Sequence, residues 1–120
     1  MYKGEFEARE REKLESYLQK IDEKPAASSS SAKLGNVIAR LNGKVIKRFL
    51  QNINIDDLAK AIKDMDGKVQ TKLFRHLPTR GASLLLESVE HMDLIQPREI
   101  LEAQNKIVAV ISELKDQGRI

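Results

Sequence analysis

Few side chains in this 120-residue sequence are of the types from which reactive sites are built. There are no cysteines, so no disulfide, thiolate nucleophile or thiolate metal site can form, a composition compatible with a reducing compartment. The two histidines, His76 and His91, stand in no ligand spacing such as HExxH, and no acidic run has the spacing of a calcium-binding loop. No Ser/His/Asp arrangement, glycine-rich phosphate loop or paired-carboxylate site assembles from local motifs. The expectation is a protein that is not an enzyme, carries no metal or cofactor, and keeps its two histidines for ordinary packing.

The abundant chemistry is charge, and it is unevenly spread. Residues 1–31 carry 6 basic and 7 acidic side chains, residues 32–80 carry 11 and 4, and residues 81–120 carry 4 and 7. A net charge of +3 therefore conceals a basic middle and an acidic end, a pattern suited to electrostatic recognition of a partner. The opening MYKGEFEARERE lacks the apolar core of a secretory signal, and no stretch approaches the roughly 18 apolar residues of a membrane span. A cytoplasmic protein with no transmembrane segment is expected.

The elements that must carry these charges read as helices throughout. The chain is rich in Leu, Ile, Ala, Lys and Glu, has only 4% aromatic residues, and shows no alternating strand pattern. From Glu5 to Lys24, the residues Phe6, Leu14, Tyr17, Leu18 and Ile21 form a thin apolar stripe at helical spacing. A stripe this narrow must lean on a partner, on the main domain or on solvent, so residues 1–24 are expected to be an amphipathic docking helix or a solvated connecting one. Residues 25–32, with Pro25 and the run Ser28 to Ser31, read as a flexible linker, and residues 33–120 as the domain proper.

Within that domain, short helices are expected over Lys33–Leu41, Lys44–Asn52, Ile55–Met65, Lys68–Leu77 and Thr79–Asp93, punctuated by Asn42-Gly43 and Asp66-Gly67. Asn54 followed by Asp56 and Asp57 places a cap and negative charge at a helix start. Gln96-Pro97 opens the last helix and Gly118 closes it. The fold class is all-α: a compact cluster of about six short helices preceded by an amphipathic helix and a linker.

At about 100° per residue, the helix from Arg80 to Asp93 sorts Ala82, Leu85, Leu86, Val89 and Met92 to one side and Arg80, Glu87 and His91 to the other. Leu84 falls near the polar side, which leaves it either exposed or the helix rotated from this phase.

The stretches NGKVIKRFLQNINIDDLAKAIKD, KLFRHLPTRGASLLLESVEHM and REILEAQNKIVAVISELKDQGRI together resemble the C-terminal domain of the bacterial flagellar rotor protein FliG over Asn42 to Ile120. The points of likeness are Arg48 and Leu50, AIK at Ala61–Lys63, TRGA at Thr79–Ala82 and EAQNKIV at Glu102–Val108. The resemblance implies a cluster of short helices whose ridge of charges faces the cytoplasmic loop of the stator, in torque generation, motility and chemotactic switching.

Carried over residue by residue, the ridge retains Lys63, Arg80 and Glu87. It is altered at Ser88, where a second acid is usual, and at Gln96, where an arginine is usual. The apolar hinge of the family is replaced by Ala32-Lys33-Leu34-Gly35, and residues 1–31 are too few for the family's N-terminal and middle domains. The implied partners are the stator loop, other switch and rotor proteins and further copies in a ring, at the cytoplasmic face of the basal body. Two other readings stand beside this one: a relative that scaffolds other proteins without transmitting torque, and a nucleic-acid binder using Lys44, Lys47, Arg48, Lys60, Lys63, Lys68, Lys72 and Arg75. Against the last, these residues lie on three helices with no interleaved aromatics, and the acidic end would repel phosphate.

Overall fold

A computed structural model of the chain describes residues 3–92 and 95–118, with side chains from residue 8 onward. Seven α-helices make up the described residues: α1 (Lys3–Ile21), α2 (Ser29–Arg40), α3 (Gly43–Gln51), α4 (Ile55–Ile62), α5 (Gly67–Arg75), α6 (Thr79–Glu90) and α7 (Pro97–Asp116). The all-α expectation holds.

The helices are short because the sequence restarts them so often. Ser28, Asn42, Asn54 and Asp66 each sit at an N-cap in extended conformation, and each side-chain oxygen accepts the amide three residues on, at 2.8–3.1 Å. Each cap satisfies a donor that the first turn would otherwise leave orphaned. Gly43 and Gly67, expected as breaks, are instead the first helical residues after their caps. At the far end of the chain, Gly118 has φ 68°, the left-handed conformation that ends a helix.

Helix α4 lies at the centre, packed on α7 and on α6, while α1 leans on α5 and α6. Phe49, Ile62, Phe74, Leu85 and Ile107 are completely or almost completely buried and tie α3 through α7 into one core.

Two expectations about the first third are corrected. The serine run is not a linker: Ser28 caps α2, Ser29 and Ser30 form its first turn, and Ser31 is fully buried, where Gln104 Nε2 donates to its hydroxyl at 2.7 Å. A buried amide on α7 needs a polar partner, and serine supplies one without bulk. The preceding segment is also stitched down, with Ala27 N donating to Asp64 O, Gly67 N to Lys24 O and Lys24 Nζ to Lys63 O, all at 2.8–2.9 Å.

Nor does α1 stand apart from residues 33–120. Leu18 and Ile21 are buried in the common core and Leu14 and Tyr17 pack against it. The Tyr17 ring meets Phe74 edge-on at 5.7 Å and its hydroxyl donates to Gln70 Oε1 at 2.8 Å. The Phe6 side chain lies outside the described residues. The stripe that the sequence offers for docking is thus used, from Leu14 onward, within the chain itself.

Candidate functional site

Helix α6 is held from one side. Ala82, Leu85 and Leu86 are buried against α4 and α1, and Val89 and Met92 pack at the margin of the core. The opposite side carries Arg80 and Glu87, both exposed, with Leu84 between them at 49% exposure. The helical phase is thus the expected one, and Leu84 faces solvent. Seven residues of helix set Arg80 and Glu87 roughly 10 Å apart along the axis, and neither enters an ion pair among the described residues.

Their placement runs against the helix that bears them. The N-terminal end of a helix favours acids and the C-terminal end favours bases, by about 0.3–1 kcal/mol for each charge. Helix α6 has no acid in its first turn and no base in its last; Arg80 occupies the former, while Glu87 and Glu90 occupy the latter. Pro78 at the N-cap supplies no side-chain hydrogen bond. These charges do not serve the stability of α6.

Lys63 has a different situation. It is the C-cap residue of α4, half-buried, and its ammonium donates to the Met92 carbonyl just beyond the end of α6. There it complements the negative end of α6 and joins two helices. Its charge sits beside the ridge but is engaged internally.

At the altered positions, Ser88 is half-buried and Gln96 is exposed at the N-cap of α7, where Gln96 N donates to Glu99 Oε2 at 3.1 Å. The structure adds a group that helical periodicity does not bring here. Asp56, exposed in the first turn of α4, lines one shallow notch together with Ile55, Leu84, Glu87, Ser88 and His91. Beside a serine where a second acid is expected, the neighbouring helix supplies a carboxylate. The only signal in the sequence is the Asp56-Asp57 pair, which reads first as a helix start.

The two histidines are the C-cap residues of α5 and α6. Nδ1 of His76 donates to Lys72 O and Nδ1 of His91 to Glu87 O, both at 2.7 Å. Among the described residues no group of three or more His, Asp or Glu side chains is placed to hold a metal ion, and no helix is long and apolar enough to cross a membrane. Half of the eight residues in the basic set are engaged within the chain. Lys72 Nζ donates to the Ile38, Ala39 and Leu41 carbonyls at 3.2, 2.8 and 2.8 Å, closing the end of α2. Arg75 pairs with Glu15, holding that carboxyl below its usual range and raising the guanidinium, and Lys68 lies 4.0 Å from Asp22. Lys44, Lys47 and Arg48 remain as an exposed basic edge on α3.

The chain is similar in sequence to known proteins. Residues 34–120 match the family described as FliG C-terminal domain. Over 83 residues, 69% of this chain, the sequence is 39% identical to the flagellar motor switch protein FliG of Borreliella burgdorferi and 31% identical to that of Thermotoga maritima. The same length is 26% identical to the Bacillus subtilis protein of that name. The matched region amounts to about a quarter of each of these relatives, 24% of the first and 25% of the other two.

Proposed function

Because this chain belongs to the FliG C-terminal domain family, we propose that it is a flagellar motor switch component whose α6 ridge engages the cytoplasmic loop of the stator. In this reading it takes part in torque generation and in switching the direction of rotation. The relatives that it matches bear the name flagellar motor switch protein, and the matched region contains the whole of α6.

The observation that carries the proposal is the orientation of α6. A helix anchored along one side presents an exposed cation and an exposed anion on the other, each at the end of the helix that disfavours it. Local rules of stability broken on an exposed face are what a contact surface leaves behind. Individually such charges contribute little to binding, roughly 0–1 kcal/mol, but a fixed array of them steers and orients an oppositely patterned partner. Arg80 provides the positive pole, and Glu87 with Asp56 the negative one. Lys63 acts by fixing the end of the ridge helix to α4.

The decisive variant exchanges the two poles, Arg80→Glu with Glu87→Lys. Both changes agree with the helix dipole, so the protein keeps its fold and gains a few tenths to about 1 kcal/mol per site. Swimming in the native host is expected to fall sharply, and reversing the facing charges of the stator loop is expected to restore part of it. Normal swimming by the exchanged variant would refute the stator contact; if assembly of another complex were lost instead, the scaffold reading would replace it.

A further inference from the structure

Four large apolar side chains are exposed among the described residues, and three of them, Val37 at 40%, Leu101 at 47% and Val108 at 48%, line one groove between α2 and α7. Its volume is about 300 Å³. Along α7 the lining residues recur at Leu101, Gln104, Asn105, Val108, Ser112 and Lys115, the three- and four-residue spacing by which one helix receives another. On α2 the same spacing appears at Ser30, Lys33, Leu34 and Val37. The groove therefore has two helical walls and no third helix between them.

Its polar lining divides into a buried amide and a basic margin. Gln104, on the floor, donates through Nε2 to Ser31 Oγ and to the Ala61 carbonyl at 2.7 and 3.2 Å. The second of these partners can only accept, which fixes the amide orientation and leaves Oε1 buried with no hydrogen-bond partner. The charged lining residues are Lys33 and Lys115; no carboxylate lines the groove, and neither lysine forms an ion pair among the described residues.

We propose that this groove receives an amphipathic helix of another protein, one that places apolar side chains between α2 and α7 and acidic residues against Lys33 and Lys115. Charge selects the occupant. Two copies of this chain pairing groove to groove would bring lysines against lysines with no carboxylate to answer them. An acidic amphipathic helix meets both the apolar floor and the basic margin. From Leu101 to Lys115 the wall runs roughly 21 Å, the length of about four helical turns. Helix α4 packs against both α6 and α7, so it lies between the ridge and the groove, and the two surfaces belong to different helices. The inference does not depend on the flagellar reading.

The test is selection from a displayed library of 16-residue helical peptides with leucines fixed at one face and the flanking positions randomised, using the full chain as target. Selected peptides are expected to carry Glu and Asp on their flanks. In fluorescence anisotropy, Leu101→Glu and Val108→Glu should each weaken their binding at least tenfold. Both residues are about half exposed, so the fold survives, as circular dichroism would verify. Selection on Lys33→Glu/Lys115→Glu should turn the flanks to Lys and Arg. Failure to select any peptide, binding indifferent to Val108→Glu, or flanks that stay acidic on the double variant would overturn the proposal. So would sedimentation showing that the chain self-associates through a contact abolished by Val108→Glu, which would assign the groove to a second copy.

Discussion

Replacing Gly67 by alanine sets helix propensity against tertiary packing, and the two predict opposite signs. Gly67 is the first residue of α5, in a conformation with no positive φ, and alanine there is favoured by up to ~1 kcal/mol on propensity alone. A β-carbon built on Gly67, however, falls 1.5 Å from the Ile21 carbonyl oxygen and 2.4 Å from its carbon. Both atoms are backbone, so no rotamer relieves the clash; the end of α1 must move away. That movement withdraws Leu18 and Ile21 from the core, and burying such a side chain contributes about 1.5–3 kcal/mol. The loss is therefore on the order of 3–6 kcal/mol if both detach, well above the propensity gain. The melting temperature should fall by on the order of 10–20 °C. Hydrogen exchange should locate the damage, with amides of α1 exposed and those of α4 and α7 still protected, since their contacts do not pass through Gly67. Gly35→Ala is the control: its nearest neighbour would be the Val69 Cγ2 methyl at 3.3 Å, a side chain that can yield, so its effect should stay within about 1 kcal/mol. If Gly67→Ala melts within a degree or two of the parent with α1 equally protected, the close approach of α1 to α5 is refuted.

Lys72→Met should destabilise the chain by about 1–2 kcal/mol, because the carbonyls of Ile38, Ala39 and Leu41 lose a charged donor while the aliphatic stem is kept; chemical denaturation measures this, and an unchanged midpoint would mean that water replaces the ammonium without loss. Burial, with the Glu90 carboxylate adding to it, pushes the Tyr17 hydroxyl up to about 12, so the folded state holds this proton more tightly than the unfolded chain does. Its contribution is complete below the ordinary tyrosine value near 10 and is lost as pH rises from there to about 12. Tyr17→Phe should accordingly show a shallower fall in stability across that alkaline window, and identical slopes for parent and variant would count against a buried hydroxyl.

The parts of the fold that were legible in the sequence are those fixed within one helical turn. Asn54 with Asp56 and Asp57, Pro97 at the start of α7 and Gly118 at its end each act on neighbours three or four residues away, and each does what its chemistry implies. The role of the serine run is set at a distance. Four serines after a proline have the composition of a linker, and only the buried Gln104 amide, 73 residues further on, makes Ser31 a core residue. Gly67 obeys the same rule: it opens α5 just after the break at Asp66, and its requirement for glycine comes from the Ile21 carbonyl and not from its own backbone angles. The narrow stripe of α1 proved sufficient because α5 and α6 already offer a surface on which Leu18 and Ile21 complete the core.

The same division runs through the candidate site. Arg80 and Glu87 share a face because they are seven residues apart on one helix, which periodicity alone conveys; Asp56 joins Glu87 only because α4 and α6 pack, and Lys63 withdraws toward Met92 by the same packing. Periodicity alone does not separate a merely solvated face from a contact surface. Solvation predicts charges indifferent to the helix ends or matched to them, as Lys63 is at the Met92 carbonyl and Glu99 is at the start of α7. Elsewhere in the chain that matching is present, though incomplete: Asp56 and Asp57 open α4, and Lys72 and Arg75 close α5, while Lys68 lies in the first turn of α5 and Arg98 in that of α7. On α6 it is inverted at both ends, on the exposed side only. Helix α6 has neither an acid in its first turn nor a base in its last, and its buried side is held by α4 and α1, so its stability comes from packing and its surface is open to patterning for a partner.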